Sequence, residues 1–282
     1  MKVLTSVFLF ANPGCYSQIP LAIPMNSTLE RILYPIRKVT AAARLRGQSL
    51  EHTMIHKAAN LVAAEKLEGD YLEFGVYSGG SFIQSYHAIR KVFSRRQKRH
   101  GPERSEKDKL EIERLWQAMR FFAFDSFQGL PEPDGIDRQS RDFVKGKYRS
   151  TEGAFRRNLS LAGISLSKVV TVTGSFKNTC TEETIRKYEM NHAAIIHVDC
   201  DLYASARLAL EFVTPLLTDG TIIIFDDWFC FRGNPNFGEQ KAFNEWLVTL
   251  PDWSFAQYQK EGPWGNSFIA NKRNPAELQA TQ

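Results

Sequence analysis

Several familiar signatures are missing from this chain, and each absence removes a class of protein. The four cysteines, Cys15, Cys180, Cys200 and Cys230, are scattered, with no C-x-x-C pair. That pattern argues against a disulfide framework or a thiolate zinc site and fits a reducing compartment. No apolar run approaches the ~18 residues of a membrane span. The opening stretch MKVLTSVFLFANPGCYS has one lysine and a short apolar patch, less than a secretory leader carries, so a cytoplasmic protein is expected. No motif interleaves aromatic with basic residues. The net charge of +5 over 282 residues is small, and much of it lies at residues 91–109, where Glu103, Glu106 and Asp108 interrupt the basic run. A nucleic-acid partner is therefore not expected, and a solvated surface segment is. The spacing G-x-G-x-x-G is absent, which removes the dinucleotide fingerprint. There is no internal repeat and no low-complexity linker.

What is present is a globular composition, 43% hydrophobic and 24% charged, that can bury a sizeable core. The rest of the chain is organised around residues 69–81, GDYLEFGVYSGGS. An apolar run carrying Glu73 breaks into a glycine-rich turn and continues as a helix-like stretch. Glycines let the backbone approach a ligand closely, and the free N–H groups of a helix start favour negative or polar groups. The same arrangement also serves as an ordinary α/β connection.

Further apolar runs at 120–124, 168–173, 193–198 and 221–225 alternate with helical segments. Five such β-α units with continuous apolar strands predict a parallel sheet covered on both faces. Two alternating runs, 253–259 and 267–271, joined by Glu261-Gly262-Pro263, predict a closing hairpin with an antiparallel strand. Helical spacing at 26–33, 36–45 and 49–66 precedes the first strand. Residues 1–66 therefore read as a helical extension, 67–273 as one α/β domain and 274–282 as a tail. On the extension, His52 and His56 lie at i, i+4, where a surface face is expected rather than a metal site.

Four strands end in acids: Glu73, Asp125, Asp199 and the pair Asp226–Asp227. Ligands of open α/β sheets bind outside the carboxyl ends of the strands. Carboxylates gathered there repel unless a cation or ligand hydroxyls offset them. Asp125, ending the second strand, is placed for the two hydroxyls of a ribose. Asp199, Asp226 and Asp227 form an all-oxygen set suited to Mg²⁺ or a similar hard cation. His197, two residues before Asp199, is a candidate base, although a histidine inside such a strand commonly serves the core.

LEGDYLEFGVYSGGS, FDSFQGLPEPDG, VDCDLYAS and IIIFDDWF, in this order, resemble the class I S-adenosylmethionine-dependent methyltransferases. More narrowly they resemble the macrocin-O-methyltransferase family, metal-dependent enzymes that methylate sugar hydroxyls of macrolide antibiotics. The resemblance runs from about Leu67 to Asn271 and implies a Rossmann-like, seven-stranded sheet with a reversed last strand. It assigns Glu73, Gly75, Val76, Tyr77, Ser78, Gly79 and Ser81 to the methionine part of S-adenosylmethionine. Asp125 goes to the ribose with Ser126 and Phe127 beside it, and Gly174, Ser175 and Phe176 border the adenine. Asp199, Asp226 and Asp227 would hold Mg²⁺, with Asp201 a second acid of the D-C-D triplet. Related catechol methyltransferases place a lysine base three positions after the first metal aspartate; here that position is Leu202.

The function expected is an S-adenosylmethionine- and Mg²⁺-dependent O-methyltransferase acting on a sugar or other small polyhydroxy acceptor. Asp199, Asp201 or His197 would take the proton. The alternatives are a cofactor-binding module without catalysis and N- or carboxyl-methylation of a small molecule. Trp228, Phe229, Phe231 and Trp264 could wall an acceptor pocket or simply pack, and residues 232–238 read as a substrate-facing lid. The resemblance also leans towards self-association through the N-terminal region.

Overall fold

Apolar runs this continuous cannot leave one face in water, and the computed structural model, which describes residues 53–98, 105–139 and 143–274, pairs them side by side. The strands are β1 (Asp70–Phe74), β2 (Phe121–Asp125), β3 (Val169–Thr173), β4 (Ala193–Val198), β5 (Ile222–Phe225), β6 (Trp253–Glu261) and β7 (Gly265–Lys272). They form one seven-stranded sheet in the order β3-β2-β1-β4-β5-β7-β6. The first five are mutually parallel, and β7 runs antiparallel to both β5 and β6.

Side chains alternate across the sheet with period two, so each strand feeds two cores. On one face Tyr71, Phe121, Ala123, Ile195, Ile222 and Ile224 pack against α1 (Met54–Glu65), α2 (Gly80–Lys98) and α3 (Glu106–Ala118). α4 (Glu152–Leu161) adds Phe155 and Leu159 to this face. On the other face Leu72, Phe74, Phe122, Phe124, Ile196, Val198, Ile223 and Phe225 pack there. The short helices α5 (Phe176–Thr179) and α6 (Glu182–Lys187), with α7 (Tyr203–Val213) and α8 (Gly238–Val248), cover them. Each large side chain so buried stabilises the fold by about 1.5–3 kcal/mol.

The amino edge of the sheet is closed by charge. Arg120 donates from Nε at 3.1 Å and from its terminal nitrogen at 2.7 Å to the buried Asp70 carboxylate, fastening β1 to β2. Lys168 donates to the carbonyls of Trp116 and Met119 at 2.6 and 3.0 Å, satisfying the end of α3. The carboxyl edge is left open for chemistry.

Several local expectations change. α2 runs on to Lys98 and α3 starts at Glu106 behind the Ser105 cap, so both ends of the charged segment are helical. α7 ends at Val213, because Pro215 has no N–H to continue the ladder. α6 starts behind the Thr181 cap and ends at Lys187, with the separate short turn of α5 before it. His56 is buried rather than on a surface face, since it lies on the side of α1 that joins the core, with Nδ1 3.2 Å from Asn60. His52 and the helices expected between residues 26 and 45 lie outside the described residues.

Candidate active site

At the end of β1 the main chain turns so tightly that two strand ends touch. Gly75 has φ +93°, and a Cβ there would lie 1.8 Å from the carbonyl oxygen of Asp199. Only glycine permits this approach. Gly75 N–H donates to Phe124 and Asp199 N–H to Phe74, both at 2.9 Å, so the turn and the end of β4 form one unit. Asp125 holds the turn from the other side: Oδ2 accepts from Val76 N–H at 2.9 Å and Tyr77 N–H at 2.7 Å, and Oδ1 from Phe127 N–H at 2.7 Å. A carboxylate has about four acceptor positions, so Asp125 retains capacity for a ligand hydroxyl.

Glu73 is fully buried, with Oε2 accepting from the Tyr71 hydroxyl and Oε1 from the Ser81 hydroxyl at 2.5 Å. Both oxygens are engaged by protein, so Glu73 organises the start of α2 through Ser81. Ser78 is held by Asn158, which donates to its carbonyl at 2.8 Å. Gly79 closes the turn onto Val76, its N–H 2.7 Å from the carbonyl. Val76 and Phe127 bury their side chains, the Phe127 ring lying 5.8 Å from Phe155, so each offers the site only its backbone. Ser126 turns its hydroxyl to Gln128 N–H at 3.1 Å. Tyr77 is exposed and meets Tyr148 edge-on at 6.0 Å. Gly174 donates to the Asp125 carbonyl at 2.9 Å, which sets Gly174 and Ser175 beside the second strand end. Phe176 packs its ring against Phe74 at 5.7 Å.

The acids at the neighbouring strand ends converge. Asp199, Asp226 and Asp227 each offer a carboxylate oxygen, all within 4.8 Å of one another. Burial, then the charges of Asp226 and Asp227, push the Asp199 carboxyl well above the usual range. Burial and neighbouring Asp227 push Asp201 up to about 8, and those two side chains share a hydrogen bond. Asp201 has φ +63°, a left-handed conformation that carries the chain sharply from β4 towards α7. Leu202, where a lysine stands in the catechol enzymes, is buried at the cap of α7.

His197 lies beside Glu73 in the β1–β4 register, its Nδ1 3.6 Å from Glu73 Oε2 and 3.3 Å from the Tyr71 hydroxyl. Burial disfavours its charged form, but the Glu73 hydrogen bond and charge outweigh that and raise its pKa overall. The imidazole is thus part of a buried polar cluster beneath the acids.

Three supporting side chains are not evident from the sequence. Asp137, fully buried, accepts from Tyr203 N–H at 2.9 Å and Ala204 N–H at 3.1 Å, capping α7 from a separate segment. Glu239 Oε2 accepts from Asp227 N–H at 3.0 Å, and Gln240 donates to the Trp228 carbonyl at 2.6 Å. Trp228 itself is packing, with its ring 4.8 Å from Phe268 and 5.0 Å from Phe225. Phe229 is partly buried against the same core, whereas Trp264 is exposed. Beyond the acids, Phe231 and Arg232 both adopt left-handed φ, +56° and +61°, and Phe231 stacks on Phe237. Two such residues in succession store strain of a kind that clusters at ligand clamps.

The donor set fits a hard dication: every candidate ligand is a carboxylate oxygen, the three repel one another, and one oxygen of nearby Glu239 is buried without a partner.

The family profile for macrocin-O-methyltransferase (TylF) matches residues 111–249, which include Asp125, the D-C-D triplet, Asp226–Asp227 and Glu239. A Streptomyces olivaceus enzyme, 8-demethyl-8-(2,3-dimethoxy-alpha-L-rhamnosyl)-tetracenomycin-C 4'-O-methyltransferase, is 30% identical over 204 residues. That alignment covers 67% of this chain and 68% of the relative. Among solved structures, the O-methyltransferase NovP superposes with a TM-score of 0.58 at 20% identity, covering 82% of this chain and 80% of its own. The calicheamicin methyltransferase CalS11 gives 0.54 at 20% identity, covering 88% and 86%. These two likenesses establish the fold, the class I methyltransferase sheet. With that sheet, the convergent acids and a relative of this identity, the chain belongs to the macrocin-O-methyltransferase family and is an S-adenosylmethionine-dependent methyltransferase.

Proposed function

We propose that the protein transfers a methyl group from S-adenosylmethionine to a hydroxyl of a sugar carried on a small natural product, with Mg²⁺ or a similar cation at Asp199, Asp226 and Asp227. The observation that carries this reading is the meeting of these three carboxylates within 4.8 Å, directly against the glycine turn. The sugar acceptor is supported by the activity named for the Streptomyces olivaceus relative.

In the reaction a lone pair of the acceptor oxygen forms the new C–O bond. The S–CH₃ bond breaks with its electrons going to sulfur, and the hydroxyl proton leaves. Mg²⁺ would supply acidity to the hydroxyl and a fixed angle of approach. The protein supplies orientation, worth about 7–11 kcal/mol of barrier in well-arranged cases. Gly75, Val76, Tyr77, Ser78, Gly79 and Ser81 cradle the methionine end, and Asp125 takes the ribose. Asp199 or Asp201, on the segment that leads from β4 into α7 beside the other acids, accepts the proton on a carboxylate oxygen.

The test is transfer of a labelled methyl group to a rhamnosylated acceptor by wild type, by Asp125→Ala, and by Asp226→Ala combined with Asp227→Ala. Each variant is titrated calorimetrically with S-adenosylhomocysteine. Loss of cofactor binding in Asp125→Ala, and loss of transfer but not of cofactor binding in the double variant, are expected. Full transfer by the double variant, or by wild type in excess chelator, would remove the metal from the reading.

A further inference from the structure

Tyrosine presents an apolar body and a polar tip, and binding surfaces use it for that reason. One tyrosine of this site is held out of the core by its own main chain. Residues 129–130 and 146–147 form a short two-stranded ribbon, in which Leu130 N–H donates to the Lys147 carbonyl at 2.8 Å and Gly146 N–H to the Leu130 carbonyl at 2.9 Å. At the end of that ribbon Tyr148 takes φ +60°, a left-handed conformation that is unfavourable for a residue with a Cβ. Tyr148 is left 44% exposed, and two contacts brace its ring. Lys147 Nζ lies 4.8 Å from the ring centre, and Tyr77, itself at φ +47°, meets the ring edge-on at 6.0 Å.

The ring stands between the two halves of the site. Tyr77 belongs to the glycine turn, its N–H donating to Asp125 at 2.7 Å. The acids lie on the other side. Burial raises the pKa of the Tyr148 hydroxyl, a hydrogen bond from Lys147 opposes this, and the charges of Asp201 and Asp227 raise it again. The ring therefore spans the interval from the glycine turn to the acids, which an acceptor must occupy for its oxygen to meet both. We infer that Tyr148 is an acceptor-binding residue whose ring receives the C–H face of the sugar, held in place for that purpose by Lys147 and Tyr77. A sugar offers C–H bonds on its faces and hydroxyls around its rim, which matches an apolar ring beside a cluster of oxygens. The inference rests on the sugar-acceptor reading above.

Packing of this kind is made equally by the bound acceptor and the transition state, so its loss raises KM and leaves kcat. The probe is methyl α-L-rhamnoside. Tyr148→Ala should raise its KM about tenfold, or about 1.4 kcal/mol. The variant's kcat and its affinity for S-adenosylhomocysteine should stay within about twofold of wild type. Tyr148→Phe keeps the ring and should keep the wild-type KM. A second measurement needs no turnover. In protein deuterated except on its tyrosine rings, with S-adenosylhomocysteine and Mg²⁺ present, saturating those rings should attenuate the C–H protons of the rhamnoside. Tyr148→Phe, whose new ring is deuterated, should weaken that transfer. A ring that only packs against its loop predicts a lower melting point in Tyr148→Ala with KM unchanged. A wild-type KM in Tyr148→Ala, a raised KM in Tyr148→Phe, or undiminished saturation transfer in Tyr148→Phe would each overturn the inference. So would loss of S-adenosylhomocysteine affinity in Tyr148→Ala, which would put the ring against the cofactor. Failure of wild type both to bind and to methylate the rhamnoside would instead overturn the sugar-acceptor reading.

Discussion

Two glycines of one turn should respond to the same substitution with opposite signs. Gly75→Ala must fit a methyl 1.8 Å from the Asp199 carbonyl oxygen and 2.9 Å from its carbon. One of the two main chains therefore has to retreat by well over an ångström. Retreat strains the bonds Gly75 N–H to Phe124 and Asp199 N–H to Phe74, each worth about 1 kcal/mol net. The left-handed φ adds about 1–2 kcal/mol for a residue with a Cβ. With the overlap itself, the loss should exceed about 4 kcal/mol, the range reserved for a named structural fault. In a chain of this size that corresponds to a melting point lower by more than about 8 °C. Gly80 is exposed at the start of α2, and a methyl there meets nothing within 4 Å. Gly80→Ala should gain about 0.4–1 kcal/mol by restricting the unfolded chain, a rise of about 1–3 °C. Melts by far-ultraviolet circular dichroism measure both. A Gly75→Ala protein melting within about 3 °C of wild type would refute the idea that the glycine turn rests on the Asp199 backbone. A stable Gly80→Ala protein that no longer binds S-adenosylhomocysteine would mark the open space at Gly80 as the cofactor's own.

Asp137→Asn offers one oxygen and one amide donor to the two N–H groups of Tyr203 and Ala204, so one bond is lost and two donors face each other. It should cost about 1.5–3 kcal/mol, seen as a lower melting point, with S-adenosylhomocysteine affinity unchanged, because Asp137 makes no bond to the glycine turn; an unchanged melting point would remove the cap. In chelator, stability should depend on pH through Asp199, Asp201 and Asp227, whose carboxyls are all raised, first by burial and then by the charge of a neighbouring acid, Asp226 for Asp199 and Asp227, and Asp227 for Asp201. The folded chain holds protons there that the unfolded chain releases near pH 4, so stability is greatest at the acid end. It declines as pH rises from there through about 8, where Asp201 ionises. Melting points across that window should show the decline in chelator, Mg²⁺ should flatten it, and Asp201→Asn should make it shallower; a flat profile in chelator would refute the assignment.

The parts of the site legible in the sequence are those that topology alone delivers. Parallel strands with helical returns bring every strand's carboxyl end to one edge, so Glu73, Asp125, Asp199 and Asp226–Asp227 could be grouped from their positions at the ends of apolar runs. A cap such as Thr151 is legible for a related reason, since it bonds an N–H three residues on in its own helix. What failed was reach across the chain. Asp137 sits just past the Pro/Gly-rich stretch at 126–135, yet its carboxylate serves a helix 66 residues away. Glu239 opens α8 as an acid favoured by the helix dipole does, yet its bond goes back 12 residues to the Asp227 main chain. Trp228, next to two candidate ligands, is committed to the core by Phe225, Phe243 and Phe268. An acid at a helix start has the same pattern whether it caps its own helix, another helix or a strand-end turn. Only the packing of α8 on the far face of the sheet decides which, and that packing is set by apolar residues such as Phe243 and Trp246 rather than by the acid itself. Chemistry in this fold is therefore readable where strands end, and its supporting carboxylates become visible only once the helices are docked.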